Sequence, residues 1–142
     1  MVLAASFGCG GAPGPSARSG EPPPPAPSAS ATSEHVAGCD APSAGDPERR
    51  KFADEVASRA SRAASSARAR LSDARKRGVE PSCHSDTLSR ADVTVRAVDV
   101  ARRALVDALA AGDGDAASRR AVELSYLCVR AARIADESFG CP

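Results

Sequence analysis

Tryptophan is absent from the 142-residue chain, tyrosine and methionine occur once each, phenylalanine three times and histidine twice. The 42% hydrophobic content is therefore mostly Ala, Val and Leu. Small side chains remove little apolar area from water, so a core made of them is thin and gains from a covalent aid. The lack of aromatics leaves no row of rings on which bases would stack, which makes nucleic acid the least suited partner. No apolar run approaches the ~18 to 20 residues that a membrane span requires. Gly-x-Ser-x-Gly, His-Glu-x-x-His, Walker and dinucleotide-binding fingerprints are all missing. With two imidazoles and none of these motifs, the residues support neither an enzyme nor a cofactor. An excess of charge of one sign is missing too, the formal net charge being +1. The chain is nevertheless uneven: residues 48–77 carry +6, residues 1–46 carry −3 and residues 79–142 carry −2, so the basic segment can be neutralised within the molecule.

Cysteine, by contrast, is plentiful. Five in a short chain is more than a reducing compartment usually tolerates without a metal or catalytic use. Cys39, Cys83, Cys128 and Cys141 form an even set beside the helical part of the sequence, and Cys9 is left over near the N-terminus.

The first residues, MVLAASFGCGGA, are small and apolar, and a Pro/Ser/Ala-rich stretch follows them. Gly8 before Cys9, with Gly10 and Gly11 after it, resembles the processing site of bacterial lipoproteins, although Ser6 stands where that family prefers Leu. The resemblance covers about a dozen residues. It implies that residues 1–11 are the remnant of a signal peptide or lipid-anchor region, that Cys9 carries the lipid, and that the protein meets a membrane through this anchor only. Residues 12–33 contain the Pro22–Pro25 run and no periodic apolar pattern, so a disordered spacer is expected there. The domain boundary falls at about residue 34.

Three helices are expected beyond that boundary, at about 47–77, 86–111 and 115–138. Asp46, Pro47 and Glu48 read as a start, with Asp46 as N-cap. Phe52, Val56, Ala60, Ala63, Ala67, Leu71 and Ala74 then mark one face, and Arg75, Lys76, Arg77 and Gly78 mark the end. Glu80 and Pro81 break the chain. Ser82 or Ser85 can cap a second helix with a stripe of Leu88, Ala91, Val95, Val98, Leu105 and Leu109. Its charged face offers the four-spaced pairs Asp92 with Arg96, Asp99 with Arg103 and Arg103 with Asp107. A turn at 112–115 leads to a third stripe of Ala117, Ala121, Leu124, Cys128, Ala131 and Ala135. Short connections make sequential helices antiparallel, so the fold class expected is all-α: an up-down-up three-helix bundle behind the tether, with coiled-coil character. A helical-repeat fragment is the rival, but no period of about 34 residues recurs.

Four cysteines allow three pairings, and hairpin geometry selects among them. If the second turn centres on Asp113, position 85 faces 141 and position 98 faces 128. Cys83 then meets Cys141, which leaves Cys39 for Cys128, near the level of Arg62. Reaching that level means climbing about 23 Å from Pro47, which residues 40–46 can span when extended.

The remaining candidates are surface groups. On the first helix Arg59, Arg62, Arg70 and Arg77 flank one side of the apolar stripe, with Arg50, Arg68 and Arg75 on the other. They read as rim arginines that cover core surface, and the first four are also candidates for contact with an anionic surface. His35, Cys39, Cys83 and His84 offer metal-ligand types without a Cys-x-x-Cys knuckle, and no metal is expected. The reading these features favour is a non-enzymatic, exported or lipid-anchored protein of the bacterial cell envelope. Its helical domain would bind an unknown protein or envelope polymer. A cytoplasmic helical adaptor that binds a partner protein or nucleic acid through the basic first helix is the alternative, and a thiol or metal-binding protein is the third.

Overall fold

The computed structural model describes residues 35–141. Cys9, the segment 1–11 and the Pro-rich stretch 12–33 lie outside the described residues. Three helices follow in order, α1 (Asp46–Arg77), α2 (Ser82–Ala110) and α3 (Gly114–Gly140), and no strand occurs among the described residues. Connections of a few residues join them, and the result is an antiparallel three-helix bundle.

The ends of the helices correct the sequence reading in detail. Gly45, not Asp46, is the N-cap of α1, with φ of 90°. Its carbonyl accepts the Arg49 N–H at 3.1 Å, which places Asp46, Pro47 and Glu48 inside the first turn. There the two acids face the positive end of the helix dipole and proline lacks only an N–H that had no partner to find. A side chain at Gly45 would meet the Glu48 carboxylate as well as strain the backbone.

Helix α2 begins a turn earlier than expected. The Ser85 N–H reaches the Pro81 carbonyl at 2.8 Å, so Pro81 is already in helical conformation and neither Ser82 nor Ser85 acts as a cap. Helix α3 is capped by Asp113, whose carboxylate accepts the Ala116 N–H at 2.8 Å, and it runs on to Gly140. At the other end of α1, Gly78 adopts the left-handed conformation (φ 70°), and the Val79 N–H closes on the Ala74 carbonyl at 3.0 Å.

The whole expected stripe of α1, Phe52 to Ala74, is buried. On α2 Leu109 is buried near the C-terminal end, and the other buried positions, 84, 87, 91, 94, 98, 101, 105 and 108, alternate strictly by three and four. This is the seven-residue repeat of a coiled-coil seam. Thr87 and Thr94 occupy it, each 1% exposed, while the expected Leu88 and Val95 sit half-buried beside it. Threonine is tolerated there because its hydroxyl is satisfied locally. Thr87 Oγ1 donates to the Cys83 carbonyl at 2.9 Å and Thr94 Oγ1 to the Arg90 carbonyl at 2.8 Å. On α3, Ile134 and Ser138 are buried, and Ala135 is only partly covered. The largest fully buried side chains are Leu105, Leu124, Val56 and Val98, so the core is as slight as the composition implies.

Candidate functional site

Two disulfides fasten the bundle. Cys39 joins Cys128 with a Cα–Cα distance of 5.5 Å, and Cys83 joins Cys141 with 5.8 Å, the pairing that the hairpin geometry selects. The first is buried, Cys39 being 3% and Cys128 1% exposed, and it holds the non-helical segment 35–45 against α3. The Ser125 hydroxyl donates to the Cys39 carbonyl and adds a second fastening there. The second bridge ties the end of α3 to the first turn of α2. From position 128 to position 141 along α3 is about 20 Å, so the bridges lie at different heights and His35 with Cys39 is not brought together with Cys83 and His84. His35 instead pairs with Asp40 at 3.0 Å on the surface. Among the described residues no group of three or more His, Cys, Asp or Glu is placed to hold a metal ion.

The arginines of α1 divide into two kinds. Several are engaged within the molecule. Arg49 is buried, and its Nη2 donates to the Ser43 carbonyl at 3.2 Å and to the Ser118 hydroxyl at 2.9 Å, clamping the entering chain to α3. Arg59 donates to the Ala37 carbonyl at 3.2 and 3.3 Å and to Cys39 Sγ at 3.2 Å. Arg70 donates to the Ser138 carbonyl at 2.9 Å and stacks over the Phe139 ring at 3.6 Å from its centre. Arg77 pairs with Asp73 at 2.9 Å. Of the four arginines nominated for contact with an anionic surface, Arg59, Arg70 and Arg77 thus have intramolecular partners. Only Arg62 stands exposed without an ion pair among the described residues, in an open cleft of about 680 Å³ whose lining is of mixed charge, Lys51 and Arg59 with Asp54 and Glu55, beside Gly38, Ser58 and Cys128.

The other flank is more open. Arg68, Arg75 and Lys76, with Ser72, line a groove of about 440 Å³ between α1 and α2, whose apolar floor is Leu71 and Leu88. Arg68 reaches Asp92 on α2 at 3.3 Å, a contact between exposed groups worth little by itself. This replaces the Asp92–Arg96 pair expected along α2. Likewise the Arg103 Nε donates to the Asp99 carbonyl at 3.2 Å rather than to a carboxylate.

With the core seam fixed, the seven-residue repeat sorts the outer face of α1 into rows. Ser58, Ser65 and Ser72 form a central row. Arg62, Ala69 and Lys76 run along one side of it, and Ser61, Arg68 and Arg75 along the other. All nine are exposed. Distance from the apolar stripe alone does not single these positions out. The sequence signal that does is the seven-spaced serine row together with the absence of any acid between Val56 and Ser72.

No helix among the described residues is long and apolar enough to cross a membrane. Compared with protein-family models, with curated proteins and with solved structures, the chain matches none.

Proposed function

We propose that this chain is a non-enzymatic interaction module of the bacterial cell envelope, exported and lipid-anchored through Cys9, whose helical bundle presents a surface for another envelope component. The observation that carries this reading is the pair of disulfides. All four cysteines of residues 35–141 are joined, and they fasten the entering segment and the end of α3 onto a core too slight to be strongly stable alone. Such use of cysteine belongs to oxidising compartments and to small domains in need of staples. The processing-site resemblance at Cys9 and the Pro-rich stretch after it supply the anchor and the spacer.

The test is fractionation of native cells that express the full gene, either unaltered or with Cys9→Ser. The unaltered product should partition with membranes and incorporate a labelled fatty acid. The Cys9→Ser product should lose the label and leave the membrane fraction. A native product that stays in the cytosol with Cys9 intact would overturn the anchoring and the export together.

A further inference from the structure

The outer face of α1 carries a more specific assignment, which rests on the interaction-module reading and names its ligand class. From Arg62 to Lys76 is about 21 Å along the helix at 1.5 Å per residue. Over that length four cations, Arg62, Arg68, Arg75 and Lys76, flank the row of Ser58, Ser65 and Ser72 hydroxyls. Arg62, Arg75 and Lys76 make no ion pair among the described residues, and the Arg68 contact to Asp92 is solvent-exposed. Of the nearest other acids, Asp73 pairs with Arg77 and Asp54 with Arg102 at 2.7 Å, while Glu55, one repeat before Arg62, makes only a solvent-exposed 3.9 Å contact to Lys51 and bounds the face at its N-terminal end. The face is therefore a narrow positive strip with small hydroxyl donors down its middle. Guanidinium forks, an ammonium and hydroxyls are the donors that phosphate oxygens take.

The shape narrows the partner further. The exposed large apolar side chains of the described residues, Val93, Val100, Val106, Val122, Tyr126 and Phe139, all lie on α2 or α3. The strip has nothing to insert into a bilayer, its one outward apolar residue being Ala69. It has no ring on which a base would stack. A straight strip of charge on one helix, with neither insertion nor stacking, fits a linear chain whose repeating charge is phosphate and whose other parts need no recognition. We propose that the outer face of α1 binds a linear phosphate polymer, through Arg62, Arg68, Arg75 and Lys76 and the serine row between them.

Binding is measured with the purified, oxidised full chain carrying Cys9→Ser, using labelled inorganic polyphosphate as the probe. Anionic phosphatidylglycerol vesicles and an oligo-dT of matched charge serve as comparison arms. Four phosphate contacts predict a log–log salt slope of about −3, hence a loss of about 50-fold in affinity between about 50 and 200 mM salt. The triple variant Arg62→Ser, Arg75→Ser, Lys76→Ser should lose at least about tenfold at low salt and reduce the slope by about 2. A control triple, Arg96→Ser, Arg119→Ser and Arg130→Ser, removes the same charge from α2 and α3 and should stay within about twofold of the parent. Unchanged melting of both triples by circular dichroism shows that they are folded. The proposal is overturned by no binding to polyphosphate, by a control triple as impaired as the first, by binding to vesicles but not to polyphosphate, or by oligo-dT binding more than tenfold tighter. Purified protein is used throughout, so a failure here leaves the location of the protein in the cell untouched, and a failure of the Cys9 experiment leaves this result standing.

Discussion

Removing the Cys39–Cys128 bridge should cost this bundle a large part of its stability. The two cysteines are separated by 89 positions, and in the chain-entropy treatment a loop of that size restrains the unfolded chain by about 4.6 kcal/mol. The shorter loop closed by Cys83 and Cys141, with a separation of 58, gives about 4.2 kcal/mol. The native-state term acts in the same direction. The buried bridge sits with Arg59 donating to Cys39 Sγ and Ser125 to the Cys39 carbonyl, and it keeps Val36 and Ala41 packed on the core. The double substitution Cys39→Ala, Cys128→Ala avoids burying new hydroxyls. It should cost about 3 to 5 kcal/mol, against the 5 to 15 kcal/mol of a typical domain. For a domain of about this size the melting temperature should fall by roughly 15 to 20 °C. Urea and thermal unfolding followed by far-ultraviolet circular dichroism measure both quantities, and amide exchange should become fast in residues 35–45 while the centres of the helices stay protected. A loss below about 1 kcal/mol would show that the staple is incidental and that the Ala-rich seam holds the bundle unaided.

Three smaller effects follow from single contacts. Gly78→Ala places a Cβ at φ of 70° where no neighbour lies within 4 Å, so the cost is backbone strain alone, about 1 to 2 kcal/mol by urea unfolding. Thr94→Val should stay within about 1 kcal/mol of the parent, since the hydroxyl only shares the Arg90 carbonyl, whereas Thr94→Leu overpacks the seam and should cost about 1 to 3 kcal/mol. Arg70→Gln removes the bond to the Ser138 carbonyl and the stacking on Phe139; as Phe139 is 70% exposed, global stability should change by less than about 1 kcal/mol, and the effect should appear as faster amide exchange in the last turn of α3.

The number, order and direction of the helices are readable from residue spacing because Ala, Val and Leu recur on single faces and Gly78 and Asp113 punctuate them. What spacing does not show is which polar residues enter the seam. Thr87, Thr94 and His84 fall on the buried repeat of α2, and apolarity alone assigns Leu88 and Val95 in their place. The threonines become core residues only once a helix exists to offer its own carbonyls. The helix starts are displaced for a similar reason. Gly45 and Pro81 begin their helices through backbone carbonyls, which no side-chain signature marks. On the surface, helical spacing places Arg59, Arg62, Arg70 and Arg77 on one side, but their partners come from elsewhere: the 37–39 loop for Arg59 and the last turn of α3 for Arg70. Those tertiary contacts leave Arg62, Arg75 and Lys76 without an ion pair among the described residues, with Arg68 in a solvent-exposed pair to Asp92 beside them.

The stability of the bundle and its proposed export both rest on the oxidation state of the four domain cysteines in the cell. Native protein should be trapped with an alkylating agent at the moment of lysis, digested without reductant and mapped by mass spectrometry. Cys39 should be recovered joined to Cys128 and Cys83 joined to Cys141, with none of the four alkylated. Alkylated Cys39, Cys83, Cys128 and Cys141 would contradict this, placing the chain in a reducing compartment and removing the staples on which both its stability and its export are argued.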